Sequence, residues 1–312
     1  MQVNSLLIGN TRVKNNLFLA PMAGYTDYAF RKLMIEQGAG LTFTELVSAK
    51  GLMYGGNGSK DLLYCAGDEE FTAAQIFGED AYFLRSATES ESLRQFKIVD
   101  INMGCPVPKV FKNGEGSALL CDIKKAENIV KECVKSGKII SIKIRTGIKK
   151  GDDVALDFAM MAENAGASFI TIHGRVREDY YSGEPDYKAI EKAKRAVKIP
   201  VIANGGIFDE SDADKMMDRT GADGVMIARG AISDPFIFKK LIGNNENHDL
   251  KAFILKHLSL MVKRMPSRRA ALEFRKFLPH YLKGTSSAKE MKKLINETES
   301  VEEIMQLIKE NL

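Results

Sequence analysis

The chain has 312 residues, 45% hydrophobic and 28% charged, with four cysteines and a net charge of +4. This is ordinary globular composition; no apolar run approaches the roughly 20 residues that cross a bilayer, and the N-terminus lacks the basic flank and apolar core of a secretory signal, so a cytoplasmic protein is expected. Cys65, Cys105, Cys121 and Cys133 form no CxxC pair and no Cys/His grouping with metal-ligand spacing, which argues against a disulfide framework and against a bound metal.

Near the start, Leu6 to Ile8 and Arg12-Val13 flank Gly9-Asn10, the pattern of a small hairpin that could plug the floor of a barrel. Eight β-rich apolar runs follow: 17–22, 41–46, 72–77, 98–103, 140–145, 169–174, 200–205 and 224–229. Segments of helical periodicity lie between them, among them 123–134, 154–165 and 209–219. Near-continuous apolar strands alternating with amphipathic helices predict a parallel sheet covered on both faces. Eight units in about 230 residues is the size of a (β/α)8 TIM barrel; a doubly wound open sheet is the alternative. Residues 243–248 read as a polar linker, after which strand signals stop and Leu250, Phe253, Ile254, Leu258, Met261 and Val262 take helical spacing. Ser287-x-x-Glu290 and Ser300-x-x-Glu303 are capping-box patterns, each opening a helix. The expected division is a barrel over 1–243 and a small all-helical domain over 244–312.

Charge is spread unevenly. Residues 251–293 hold 12 Lys/Arg against 2 Asp/Glu, while 1–250 are nearly neutral and 294–312 are acidic. A basic stretch confined to the helical segment predicts a polyanion surface.

Functional groups of a TIM barrel sit at the C-terminal ends of its strands. Here those ends carry Pro21-Met22-Ala23, Glu45, Gln75, Asn102 with Cys105, Lys143 with Arg145, His173 with Arg175, Asn204-Gly205-Gly206, and Ala228-Arg229. Any one has a plain structural reading: Lys143 could snorkel and His173 could be a bonded core imidazole. A lone cysteine is usually a small buried hydrophobe, the reading kept for Cys65, Cys121 and Cys133. Cys105 differs, because a Gly-Cys-Pro step just past a strand turns a thiol towards a pocket. Glycines at the last two strand ends let backbone N–H groups approach a phosphate. With amides, a lysine and a histidine around them, a phosphorylated planar cofactor such as FMN fits, with Lys143 beside the charge of its reduced ring. No GxGxxG, HExxH or P-loop is present.

Together, Leu19-Ala-Pro-Met-Ala-Gly-Tyr-Thr-Asp27, Asp100-Ile-Asn-Met-Gly-Cys-Pro106, Ile142-Lys-Ile-Arg145, Thr171-Ile-His-Gly-Arg175, Ile202-Ala-Asn-Gly-Gly206 and the tail's Phe274 to Gly284 resemble the tRNA-dihydrouridine synthase family. The resemblance spans nearly the whole chain. It implies bound FMN, NADPH as electron donor and reduction of particular tRNA uridines. It also implies that Pro21, Met22 and Ala23 line the flavin and that Gln75, Asn102, Lys143 and His173 contact its ring. Asn204, Gly205, Gly206, Ala228 and Arg229 would hold its phosphate, and Cys105 would be the catalytic acid. Many relatives carry Asp at 206, Gly at 228, Gln at 179 and Trp at 236, where this chain has Gly206, Ala228, Asp179 and Phe236.

On this reading Arg145 and Arg175 assist at the uracil. Lys263, Arg264, Arg268, Arg269, Arg275, Lys276 and Lys283 hold tRNA phosphates, with Tyr281 as a stacking surface, and the protein is a monomer. Two other functions stay open at this point. One is an FMN-dependent enzyme acting on a free pyrimidine, like a dihydroorotate dehydrogenase; the other is a non-catalytic RNA-binding protein on a degenerate barrel.

Overall fold

The computed structural model describes residues 1–67, 69, 71–244, 248–284 and 288–312. A two-stranded antiparallel hairpin, β1 (Leu6–Ile8) and β2 (Thr11–Val13), precedes the main sheet. That sheet comprises β3 (Leu17–Leu19), β4 (Thr42–Ser48), β5 (Thr72–Phe77), β6 (Ile98–Met103), β7 (Ile139–Arg145), β8 (Phe169–His173), β9 (Val201–Asn204) and β10 (Gly224–Ile227). All its pairings are parallel, in the order β3-β10-β9-β8-β7-β6-β5-β4. A parallel bridge between Phe18 and Leu41 joins the two ends, and Leu19 N donates to Leu41 O at 2.8 Å. The sheet therefore closes into a barrel, and the open-sheet alternative falls.

The apolar runs match the strands to within two residues at each end, except that the first runs three residues past its strand. The first strand stops at Leu19 and the seventh starts at Val201, because Pro21 and Pro200 have no N–H for a ladder. Between strands the helices form from amphipathic sequence closed by side-chain caps. In Ile123–Val134, Ala126, Ile129, Val130 and Cys133 are buried and Asp122 accepts from Lys125 N.

Inward-facing side chains stack in layers. The floor is apolar: Phe18, Phe43, Ile98, Ile139, Phe169 and Met226 cluster with Ile8 and Val13 of the hairpin. The hairpin thus closes the N-terminal end, and a Cβ on its Gly9 (φ +56°) would stand 3.1 Å from Ile139. Alternation then places polar residues above this floor: Asp100 and Asn102 on β6, Ser141, Lys143 and Arg145 on β7, Thr171 and His173 on β8.

After β10 come the helices Arg229–Ser233 and Ile237–Leu241, then Leu250–Val262, Ser267–Phe274, Leu278–Tyr281, Ala288–Glu297 and Val301–Asn311. Of the linker, residues 245–247 lie outside the described residues, as does Ser287 of the first capping pattern. The second pattern forms in part. Ser300 Oγ accepts from Glu303 N at 3.2 Å, but the Glu303 carboxylate bonds Thr298 Oγ1 instead of reaching back to Ser300 N.

The tail's core is aromatic. The rings of His257 and Phe277 lie 4.6 Å apart, and Phe277 packs on Phe30 of the barrel at 5.4 Å. This corrects one expectation. Tyr281 is no RNA-stacking surface: it is 3% exposed, and its hydroxyl lies 3.0 Å from His257 Nδ1. On a short helix packed against Leu250–Val262, its position turns it inward. Of the other cysteines Cys133 is buried as expected, Cys65 is half-buried, and Cys121 is exposed, contrary to expectation.

Candidate active site

A cavity of about 410 Å³ opens at the C-terminal ends of the barrel strands. Every residue expected to touch the cofactor lines it: Pro21, Met22, Ala23, Gln75, Asn102, Lys143, His173, Asn204, Gly205, Gly206, Ala228 and Arg229. Cys105, Arg145 and Arg175 line it too. Of the described tail residues, only His280 does; Arg268, Arg275, Lys276, Tyr281 and Lys283 are not part of its wall.

Sheet register brings the rim together. Asn102 pairs with Lys143, Arg145 with His173, and His173 with Asn204 across neighbouring strands. Lys143 Nζ donates to Asn204 Oδ1 at 3.0 Å, and Asn204 Nδ2 donates to Met226 O at 2.7 Å. Burial, then Arg145, pushes the Lys143 ammonium down to about 8. Arg175 Nη1 lies 3.2 Å from His173 Nε2. A guanidinium only donates, so Nε2 is the acceptor and the ring is neutral. Burial, with Lys143, Arg145 and Arg175 around it, pushes His173 well below the usual histidine range.

The arginines are held by backbone. Arg145 Nε donates to Gly104 O at 3.0 Å and its Nη1 to Val176 O and Tyr180 O at 2.9 and 2.8 Å. Arg175 donates to Ser182 O and Gly183 O. Tyr181, on the loop these bonds secure, lies 6.4 Å from the His173 ring at an interplanar angle of 29°, with Arg229 4.5 Å from its own ring. Lys143, Arg145, Arg175 and Arg229 thus face one cavity with no carboxylate lining it among the described residues. Backbone carbonyls and an amide solvate these charges but do not neutralise them, so the mouth is an anion site.

Gly205 (φ +121°) and Gly206 (φ +70°) leave the backbone bare beside it. A Cβ on Gly205 would stand 2.8 Å from His173 Cδ2, so a larger residue would close the approach.

Cys105 is half-buried on a turn fixed from both sides. Asn102 Oδ1 accepts from Gly104 N at 3.1 Å and Cys105 N at 2.8 Å. Ser117 Oγ donates to Cys105 O at 2.8 Å. Gly116 (φ +59°) faces it, and a Cβ there would lie 2.9 Å from Cys105 Cβ. Burial pushes the thiol up, above its ordinary value, so it stays protonated at neutral pH.

Several residues of the site carry no strand signal in the sequence, although Tyr25 and His280 fall inside the segments that carry the family resemblance. Tyr25, Tyr181, Phe208 and His280 line the cavity from loops or the tail, where no strand pattern marks them. Gly116 and Ser117 carry no motif. Arg177, whose guanidinium carbon lies 4.0 Å from the Phe111 ring centre, joins the loop after β8 to the segment following Cys105. Its only signal is its place two residues past Arg175.

Fold and site define a TIM-barrel enzyme with a cation-lined mouth and a protonated thiol at its rim. Among solved structures the chain resembles morphinone reductase over 80% of its length and 93% of that chain, with a TM-score of 0.57 at 14% identity. It resembles the Zymomonas mobilis old yellow enzyme homologue over 79% and 93%, also with a TM-score of 0.57, at 11% identity. At these identities the likeness is one of fold. The sequence matches the family "Dihydrouridine synthase (Dus)" over residues 18–312. It is 35% identical to tRNA-dihydrouridine synthase B of Pseudomonas syringae pv. tomato, over 96% of this chain and 92% of that one. It is also 35% identical to a probable tRNA-dihydrouridine synthase of Aquifex aeolicus, over 95% and 96%. The chain belongs to the dihydrouridine synthase family. It is a flavin-dependent oxidoreductase that reduces uridine in tRNA to dihydrouridine, which sets aside the free-pyrimidine and non-catalytic alternatives.

Proposed function

We propose that the flavin is FMN, that NADPH reduces it, and that Cys105 is the acid that completes the reduction of the uracil. One observation carries this reading: a protonated thiol and four cations face a single cavity with no carboxylate lining it among the described residues. The residues present fit the cofactor. Lys143 is a half-buried ammonium whose hydrogen bond among the described residues goes to an amide oxygen, and such a charge calls for an anion. Gly205 and Gly206 offer backbone to a phosphate, with Arg229 at the start of the next helix.

Bound and reduced, FMN supplies a hydride to C6 of the uracil. The chain does the rest. Cys105 gives its Sγ proton to C5, and the thiolate left behind regains a proton from solvent. Arg145, held by Gly104 O, Val176 O and Tyr180 O, keeps its charge beside the thiol and stabilises developing negative charge on the uracil carbonyls. His173 is neutral and takes no part as an acid. A uridine inside folded tRNA reaches this cavity only when displaced from its stack. The helical segment from about residue 244, a domain of its own in this proposal, grips the RNA backbone through Lys263, Arg264, Arg268, Arg269, Arg275, Lys276 and Lys283. An enzyme acting on tRNA works where tRNA is, which places it in the cytoplasm.

The test is Cys105→Ala. The variant is expected to keep its flavin and its reduction by NADPH, while dihydrouridine formation, counted by mass spectrometry, falls by about 10²–10⁴-fold. Near-normal product would sink the assignment of Cys105 as the acid.

A further inference from the structure

Beneath the cavity runs a chain of hydrogen bonds that the chemistry above does not use. Ser141 Oγ donates to Asp100 Oδ1 at 2.6 Å, and Gln75 Nε2 donates to Asp100 Oδ2 at 2.7 Å. Asn102 Nδ2 donates to Gln75 Oε1 at 3.0 Å, and Asn102 Oδ1 receives the N–H groups of Gly104 and Cys105. Asp100 and Ser141 are fully buried and do not line the cavity; Gln75 and Asn102 do.

Only one assignment of the two amides satisfies this chain. Its top end is donor-only, because backbone N–H groups cannot accept. Asn102 must therefore turn its oxygen up and its nitrogen towards Gln75. Gln75 must then meet Asn102 with its oxygen, which leaves its nitrogen facing Asp100. A carboxylate is acceptor-only and closes the chain without conflict. Each amide nitrogen has a second hydrogen, and among the described residues no protein group takes it. Gln75 and Asn102 thereby keep both amide oxygens occupied and have only N–H donors left to offer the cavity.

We propose that Asp100 is a positioning residue, which sets the polarity of the Gln75 and Asn102 amides and, through Asn102, holds the turn that carries Cys105. Without an acceptor at 100, Gln75 is free to turn over. Its nitrogen would then oppose that of Asn102, and Asn102 could no longer keep its oxygen on the Gly104 and Cys105 N–H groups. Burial pushes the Asp100 carboxyl up to about 6, so the fold keeps a buried acid there at a cost that an apolar residue would avoid.

The claim rests on the Cys105 reading only where turnover is measured. Two variants separate polarity from charge. Asp100→Asn keeps an acceptor for Gln75, and its own nitrogen can donate to Ser141, whose hydroxyl reverses. Asp100→Leu keeps a similar shape and has no acceptor. In cofactor-free protein, iodoacetamide should alkylate Cys105 of the Leu variant several-fold faster than wild type, read site by site by mass spectrometry. Dihydrouridine formation should fall by about 10²-fold, the loss expected of a small misplacement of reacting groups. The Asn variant should match wild type in both. A folded Leu variant with wild-type alkylation and turnover overturns the proposal, as does an Asn variant as impaired as the Leu variant.

Should the Leu variant not fold, Gln75→Glu decides the same point. That change sets two carboxylates against each other, and adding Asp100→Asn gives the new carboxylate a donor. The double variant should melt higher and alkylate more slowly than Gln75→Glu alone; equal behaviour overturns the proposal. Full activity in Cys105→Ala would end the acid assignment and leave the alkylation results standing.

Discussion

Lys143 is, in the proposed reading, the charge that meets the anionic cofactor. Burial, with Arg145 next in effect, brings its ammonium down to about 8. The sign follows from that depression. The folded protein disfavours the charged form, so Lys143 costs stability below about pH 8, and the cost disappears as pH rises towards the ordinary lysine value. An anion in the cavity reverses the balance by favouring the ammonium. FMN affinity of the cofactor-free protein, measured by fluorescence titration, is therefore expected to weaken as pH rises through about 8. Lys143→Met should bind more weakly at pH 7 and lose this pH dependence; a wild-type profile in the variant would remove Lys143 from the anion site. The presence of Lys143, Asn102 and His173 on one rim was legible from the sequence, because each stands near the C-terminal end of an apolar run. Their states were not: His173 is neutral through burial and its cationic neighbours, of which Lys143, Arg145 and Arg229 come from other strands or their ends.

At the scale of elements, the helix Leu278–Tyr281 is the clearest case in which position within a fold overruled residue type. A tyrosine in a basic stretch reads as a surface for bases. Instead the helix turns Tyr281 into a core shared with Phe253, His257, Phe274 and Phe277. His257 is neutral there, pushed down to about 3 by burial, and needs no counter-charge. Tyr281→Ala is expected to cost about 3–5 kcal/mol of stability, as a large aromatic truncation in a core does. Chemical denaturation should show this loss while tRNA affinity per folded molecule stays unchanged. A stable variant with weakened RNA binding would restore Tyr281 to the surface role.

For the whole molecule, the proposed reading divides the task between a near-neutral barrel that does the chemistry and a basic tail that grips the RNA. Several tail cations already have partners: Arg268 bonds Glu299, Lys276 bonds Glu273, and Arg275 donates to Thr298 O. Exposed pairs of this kind are worth little and exchange readily for phosphates. tRNA affinity is expected to fall steeply with salt. Replacing Lys263, Arg269 and Lys283 by Gln should reduce the log–log slope by about 0.7–0.9 for each phosphate no longer neutralised. An unchanged slope in a filter-binding or fluorescence assay would take the tail out of the RNA surface. No helix among the described residues is long and apolar enough to cross a membrane.

The chain by itself determined a parallel sheet of eight strands, because eight apolar runs between amphipathic helices have few ways to bury both faces of a sheet, and left its closure into a barrel to the structure. It also determined most of the rim, because alternation sends every second residue inward and strand ends are marked by polar and glycine residues. The tertiary structure alone decided what those residues face. Asp100 and Gln75 lie 25 positions apart and Cys105 and Ser117 12 apart, yet each pair is in contact. Hydrogen-bond polarity, the burial of Tyr281 and the protonation of the Cys105 thiol depend on neighbours that strand register and helix packing supply. A linear pattern names the groups but leaves their partners open.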